Sequence, residues 1–145
     1  MSVARRVYLW SAWAFLASVV FQVFAIGLYL FADFDLGLHF LGSLIVFVVA
    51  IVVLGATAAA GAGGRSIRLA GALLVLTIVQ GLLPGFDDVG LPIIAALHPV
   101  NALVLFWLGL VILRDAQRHA QLSPAPGADD DIPAERARDA GARSS

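Results

Sequence analysis

The chain contains no cysteine and no lysine. The first absence excludes disulfides, thiolate metal sites, cysteine nucleophiles and covalent c-type heme attachment. The second leaves all nine strongly basic positions to arginine. Charge of either sign is scarce, at 13% of 145 residues, against 61% apolar residues and a mean hydropathy of +0.94. That balance is not the composition of a water-soluble domain. Between Val7 and Leu113 the only Asp, Glu or Arg residues are Asp33, Asp35, Arg65, Arg68, Asp87 and Asp88. No carboxylate falls inside an apolar run, where a proton- or cation-coupled transporter ordinarily keeps one. There is no nucleophile–base pair, phosphate-binding loop or nucleic-acid footprint, so nothing points to an enzyme of soluble type or to a nucleic-acid partner.

What is present is four apolar runs, cut apart by those three pairs of charges. A bilayer core takes about 20 helical residues, with roughly 17 to 25 acceptable. Strict alternation of apolar and polar residues is missing, so the runs are predicted as helices rather than barrel strands. The expected domain covers residues 1–115, with spans at about 8–31, 37–60, 69–86 and 91–113. The first run follows Arg5 and Arg6 but is too long for a signal peptide and has no small-x-small cleavage site, so it reads as a retained span. Residues 116–145 are rich in Ala, Asp, Arg, Pro, Gly and Ser and are expected to form a disordered tail, with His119 a solvated side chain in it.

Orientation follows from arginine. Arg5, Arg6, Arg65, Arg68, Arg114 and Arg118 all fall on one side of a four-span chain, and the opposite loops carry only aspartates. The positive-inside rule then puts both termini in the cytoplasm of a cell whose plasma (inner) membrane holds the protein. Small and polar residues in lipid turn toward other helices. They trace one stripe on each helix: Ser11, Ala14, Ser18, Gln22, Ala25 and Tyr29; His39, Gly42, Ser43, Val46, Ala50, Val53 and Thr57; Thr77, Gln80 and Pro84; and His98, Asn101, Ala102, Leu105 and Gly109. The fold class expected is all-α: an up-down-up-down bundle of four transmembrane helices.

A two-helix unit is written twice. Gln22 and Gln80 are 58 positions apart, Gly27 and Gly85 also 58, and His39 and His98 are 59. The second and fourth helices stand diagonally opposite in such a bundle, and two neutral imidazoles facing each other across a core suit a b-type heme iron. A diagonal of roughly 14 Å less two helix radii leaves roughly 9 to 10 Å between facing Cα atoms. Two imidazoles on one metal need roughly 12 to 13 Å, so the bundle is expected to splay there, with Gly27, Gly37, Gly42, Gly81 and Gly85 as thin walls. The other reading makes each histidine an interfacial residue with its polar edge among headgroups. Gln22 and Gln80 are open to heme edges, a quinone carbonyl, each other or backbone carbonyls. No third His, Cys or carboxylate stands at ligand spacing for zinc.

The run VQGLLPGFDDVGLPIIAALHPVNALVLF resembles the end of one helix and the start of the next in heme A synthase, whose two four-helix halves each carry a histidine pair on their second and fourth helices around a heme. The chain looks like one such half, over roughly residues 8 to 113. It also resembles a family of small, uncharacterised bacterial four-helix membrane proteins with the same Gln-x4-Gly and His placements. The resemblance implies His39 and His98 as heme ligands, with Gln22, Gly27, Gln80 and Gly85 lining the site. It departs from the synthase in its first outer loop, only ADFDLG, and in having no second half within the chain, so the synthase activity is not expected. A homodimer would reproduce the two-half arrangement. The function expected is electron transfer or heme handling with a redox partner or quinone; the alternative is a heme-free structural subunit of a larger membrane complex.

Overall fold

A computed structural model describes residues 1–121, and within them the chain is helical apart from short connections. Four long helices carry the fold. The first, α1, runs Val3–Ala32; Ser2 caps it by accepting the Arg5 amide on its hydroxyl. It stops at Asp33, which adopts a left-handed conformation (φ 54°) and returns its amide to the Leu28 carbonyl. Helix α2 runs Gly37–Ala59, and α3 runs Gly63–Leu82. Gly61 and Gly63 make the tight link between them at positive φ (63° and 86°), which a β-carbon would strain. The connection after α3 contains two single turns, α4 (Gly85–Asp88) and α5 (Pro92–Ala95), before α6 (Leu97–Gln121).

Helix α1 packs on α2 and α6, and α3 packs on the same two, so α2 and α6 stand diagonally across the bundle. This is the expected up-down-up-down arrangement, and all four helices are long and apolar enough to cross a membrane. At 1.5 Å per residue a 23-residue helix such as α2 is about 35 Å long, enough for a hydrocarbon core of about 30 Å. The protein is a small multi-pass membrane protein. Its outer surface is correspondingly apolar, with Phe31, Ile93, Leu103 and Trp107 among the exposed side chains.

Helix bounds differ from the expected spans at the arginine-bearing end. Helix α3 starts at Gly63, ahead of Arg65 and Arg68, because guanidinium groups tolerate a helical backbone once it leaves the hydrocarbon. Helix α6 continues to Gln121 with Ala116 fully buried, so the first residues expected in a disordered tail are part of the bundle. Residues 122–145 of that expected tail lie outside the described residues. Pro99 sits in the first turn of α6, where its missing N–H costs nothing, and the preceding residues form the separate turn α5.

The stripes read from sequence are buried toward mid-bundle: Gly42, Val46, Ala50, Val53 and Thr57 on α2, Thr77 on α3, and Leu105 and Gly109 on α6. Toward the histidine end His39, Gln80, His98, Asn101 and Ala102 are half-buried, and Ser43 and Pro84 are exposed. The α1 stripe holds in part: Ser11 and Ala25 are buried and Ser18 and Gln22 half-buried, but Ala14 and Tyr29 face outward, and Phe15, Leu16 and Val19 join the buried face. Gly109 makes room for two of these: a β-carbon there would stand 2.9 Å from Leu16 and 3.2 Å from Phe15 in the α1–α6 seam.

Candidate functional site

Two polar clusters occupy opposite ends of the bundle. The first is built from the residues of the repeated unit. Gln22, two-thirds of the way along α1, extends its amide across to the start of α2. Its Nε2 donates to the His39 carbonyl at 3.1 Å and to the Ser43 hydroxyl at 2.7 Å. Ser43 donates in turn to the same His39 carbonyl at 2.9 Å. The amide lies flat on Gly42, where a β-carbon would come within 2.8 Å of Oε1. Gln22 Oε1 and His39 Nδ1 are both buried with no hydrogen-bond partner among the described residues.

The second unit is bonded through the ring rather than the backbone. His98 Nδ1 donates to the Gln80 carbonyl at 3.0 Å, which fixes the tautomer and leaves Nε2 as an acceptor. Gln80 Nε2 donates to that Nε2 at 3.1 Å, and Gln80 Oε1 accepts from Asn101 Nδ2 at 2.8 Å. Asn101 also donates to the Leu76 carbonyl at 3.0 Å. Each glutamine therefore bonds the histidine of its own unit, across the hairpin that the unit forms.

The two units meet at their histidines. The rings of His39 and His98 have centres 6.3 Å apart and planes inclined at 63°. Both side chains are half-buried. Gly27 and Gly85 are separate from these bonds: neither has an atom within 4 Å of where a β-carbon would stand. Among the described residues no three His, Asp or Glu side chains gather as a bare-ion site.

Comparison with family models, curated proteins and solved structures finds no match. The site's chemistry therefore rests on its own geometry. A pair of imidazoles, one held by an N–H donated to a backbone carbonyl, is the usual arrangement of histidine beside a metal, because the bonded nitrogen fixes the ring while the other presents its lone pair. Two ligands alone hold a free ion weakly. They suffice when a macrocycle supplies the other four nitrogens.

The second cluster was not foreseen from sequence. Asp115, buried on α6, accepts the Tyr8 hydroxyl at 3.0 Å and the Ser66 hydroxyl at 2.6 Å on the same oxygen. Arg65 stands 3.6 Å from its other oxygen. His119, expected as a solvated tail residue, is instead half-buried on the last turn of α6. Its Nδ1 donates to the Asp115 carbonyl at 2.9 Å, and its ring packs edgewise on Tyr8. Tyr8, Ser66 and Asp115 bring α1, α3 and α6 together here, while the fully buried Thr57 hydroxyl of α2 donates to its own Val53 carbonyl at 2.7 Å. The available signal was periodicity: Leu105, Leu108, Ile112, Asp115, Ala116 and His119 continue one helical face past the last apolar run.

Proposed function

We propose that the protein binds a b-type heme between His39 and His98 and serves as a one-electron carrier or heme-handling protein in the membrane. The observation that carries this reading is the 6.3 Å between ring centres. Two imidazoles on one metal, at about 2 Å per bond, have centres roughly 6 Å apart. The unpartnered nitrogen of His39 supports it, since a buried polar atom left without a bond costs about 1–3 kcal/mol. His98 would offer Nε2, with Nδ1 kept on the Gln80 carbonyl. Gln80 would have to withdraw its amide from that lone pair, keeping its bond to Asn101. Bound heme would supply reversible one-electron chemistry. The chain's own residues orient the rings, and the apolar helices around them keep water away. Quinone, a protein redox partner or a second copy of the chain would be the natural counterparts at this depth.

The clustering of arginine at one end supports an orientation with that end, and both termini, in the cytoplasm of the plasma (inner) membrane, and with the histidines near the outer face.

The fully paired ring of His98 favours a second reading, in which Gln80, His98 and Asn101 simply clamp α3 to α6 in a heme-free accessory subunit. Purification in mild detergent from cells supplied with heme precursor separates the two. A Soret band with a low-spin bis-imidazole signal supports the heme protein. Stoichiometrically colourless, folded protein selects the clamp.

A further inference from the structure

The end of the bundle away from the histidines holds a pocket of about 180 Å³ between the start of α3 and the last turns of α6, lined by Arg65, Val111, Arg114, Asp115 and Arg118. Three guanidinium groups face one carboxylate. Asp115 is already occupied by Tyr8, Ser66 and Arg65, so it neutralises one charge and leaves an excess of two. The first turn of α3 adds to the positive potential: it has no acidic residue and no side-chain cap. Arg114 and Arg118 are one turn apart on an exposed face of α6, a spacing that lets both forks close on one tetrahedral anion.

Below the charges the surface changes character along the same helix faces. Val104, Trp107 and Val111 continue the Arg114–Arg118 ladder toward mid-membrane, with Val104 and Trp107 exposed. A charged head over an apolar track matches the shape and polarity of a phospholipid, and basic pockets between transmembrane helices are where anionic headgroups bind. We propose that this pocket binds the phosphate of an anionic phospholipid, with Arg114 and Arg118 as its principal ligands and the acyl chains along the α3–α6 groove.

The full-length protein in neutral detergent can be titrated with dioleoylphosphatidylglycerol, dioleoylphosphatidylcholine and inorganic phosphate, with bound lipid counted by native mass spectrometry and stability followed by thermal unfolding. One phosphatidylglycerol should bind at least about tenfold more tightly than phosphatidylcholine, and raised salt should weaken it. The R114Q/R118Q double variant should lower its affinity about 30-fold, as expected for two arginines at an anionic lipid. Both arginines are exposed, so the variant should unfold at the wild-type temperature in the absence of lipid. Arg6→Gln, in the groove between α1 and α2 on the far side of the bundle, should leave binding unchanged. Equal binding of the two lipids, or unchanged phosphatidylglycerol binding by R114Q/R118Q, overturns the site. Full stabilisation by inorganic phosphate alone overturns the lipid assignment.

Discussion

The Tyr8 hydroxyl donates to Asp115 Oδ2 across 107 residues of sequence, so the first turns of α1 and the last turns of α6 close one end of the bundle together. The same oxygen accepts from Ser66, which brings the start of α3 to the same point. A carboxylate taken out of water is stable only while donors surround it. Here two hydroxyls and Arg65 supply them. Tyr8→Phe should therefore cost about 1.5–3 kcal/mol, the worth of a hydrogen bond to a charged group. Ser66→Ala should cost a similar amount. Asp115→Ala should cost more than either, because it removes both bonds at once and leaves the buried Tyr8 hydroxyl without its acceptor, while Ser66 falls back on the Ala62 carbonyl. Unfolding of the detergent-solubilised variants measures each effect, and the Tyr8–Ser66 pair should be non-additive because both bond one oxygen.

A truncation series tests the same closure. A chain ending after Gln121 keeps Asp115, Ala116 and His119 and should insert and unfold like the full chain. One ending after Leu113 loses all three and should be destabilised at least as much as Asp115→Ala. Equal stability of the two truncations would mean that the last turns of α6 contribute nothing.

Two glycines of the histidine end should respond oppositely to a methyl group. At Gly42 a β-carbon meets the Gln22 amide at 2.8 Å, so Gly42→Ala displaces Gln22 from the His39 carbonyl and from Ser43. The amide is the end of a flexible, half-buried side chain that can swing aside, so the expected loss is that of its hydrogen bonds, about 0.5–1.5 kcal/mol. At Gly27 nothing lies within 4 Å, and Gly27→Ala should be neutral or slightly stabilising through helix propensity. Thermal unfolding of the two variants side by side makes the comparison.

The four helices and their order were legible because hydropathy and paired charges are coarse signals that tertiary packing does not override. The diagonal placement of His39 and His98 followed from helix order alone. The entry of Phe15 and Leu16 into the buried face of α1 did not, because the room for them is left by Gly109 on a different helix. The bonds made by Gln22 and Gln80 differ although their spacings match, since one amide meets Gly42 and Ser43 and the other meets a ring and Asn101. Asp115 was missed for another reason. It lies just beyond the last apolar run, where charge suggested solvent, and only the continued helical period marks it as buried.

Topology has a direct readout. Periplasm-active reporters fused at Asp35 or Asp88 should be active, and those fused at Arg65 should be silent, if the arginine-rich end faces the cytoplasm. An active fusion at Arg65 would invert the orientation and place the histidines on the inner side.

The proposed heme site makes the most restrictive prediction, because two ligands of one iron cannot act independently. His39→Ala and His98→Ala should each abolish a low-spin bis-imidazole spectrum, leaving high-spin heme or none. The double variant should be little worse than either, since the first substitution already breaks the six-coordinate state. Gln22→Leu should be milder: it frees the His39 carbonyl and Ser43 but leaves both rings in place, so the spectrum or potential shifts while ligation survives. Gln80→Leu separates the two readings of His98. It removes the amide that competes for Nε2 but keeps the backbone carbonyl that holds Nδ1, so a heme protein should retain its low-spin signal. In a heme-free clamp the same change would only destabilise, by unpairing His98 and depriving Asn101 of an acceptor. An unchanged Soret band and low-spin signal in either histidine variant would assign the iron to a different pair of ligands.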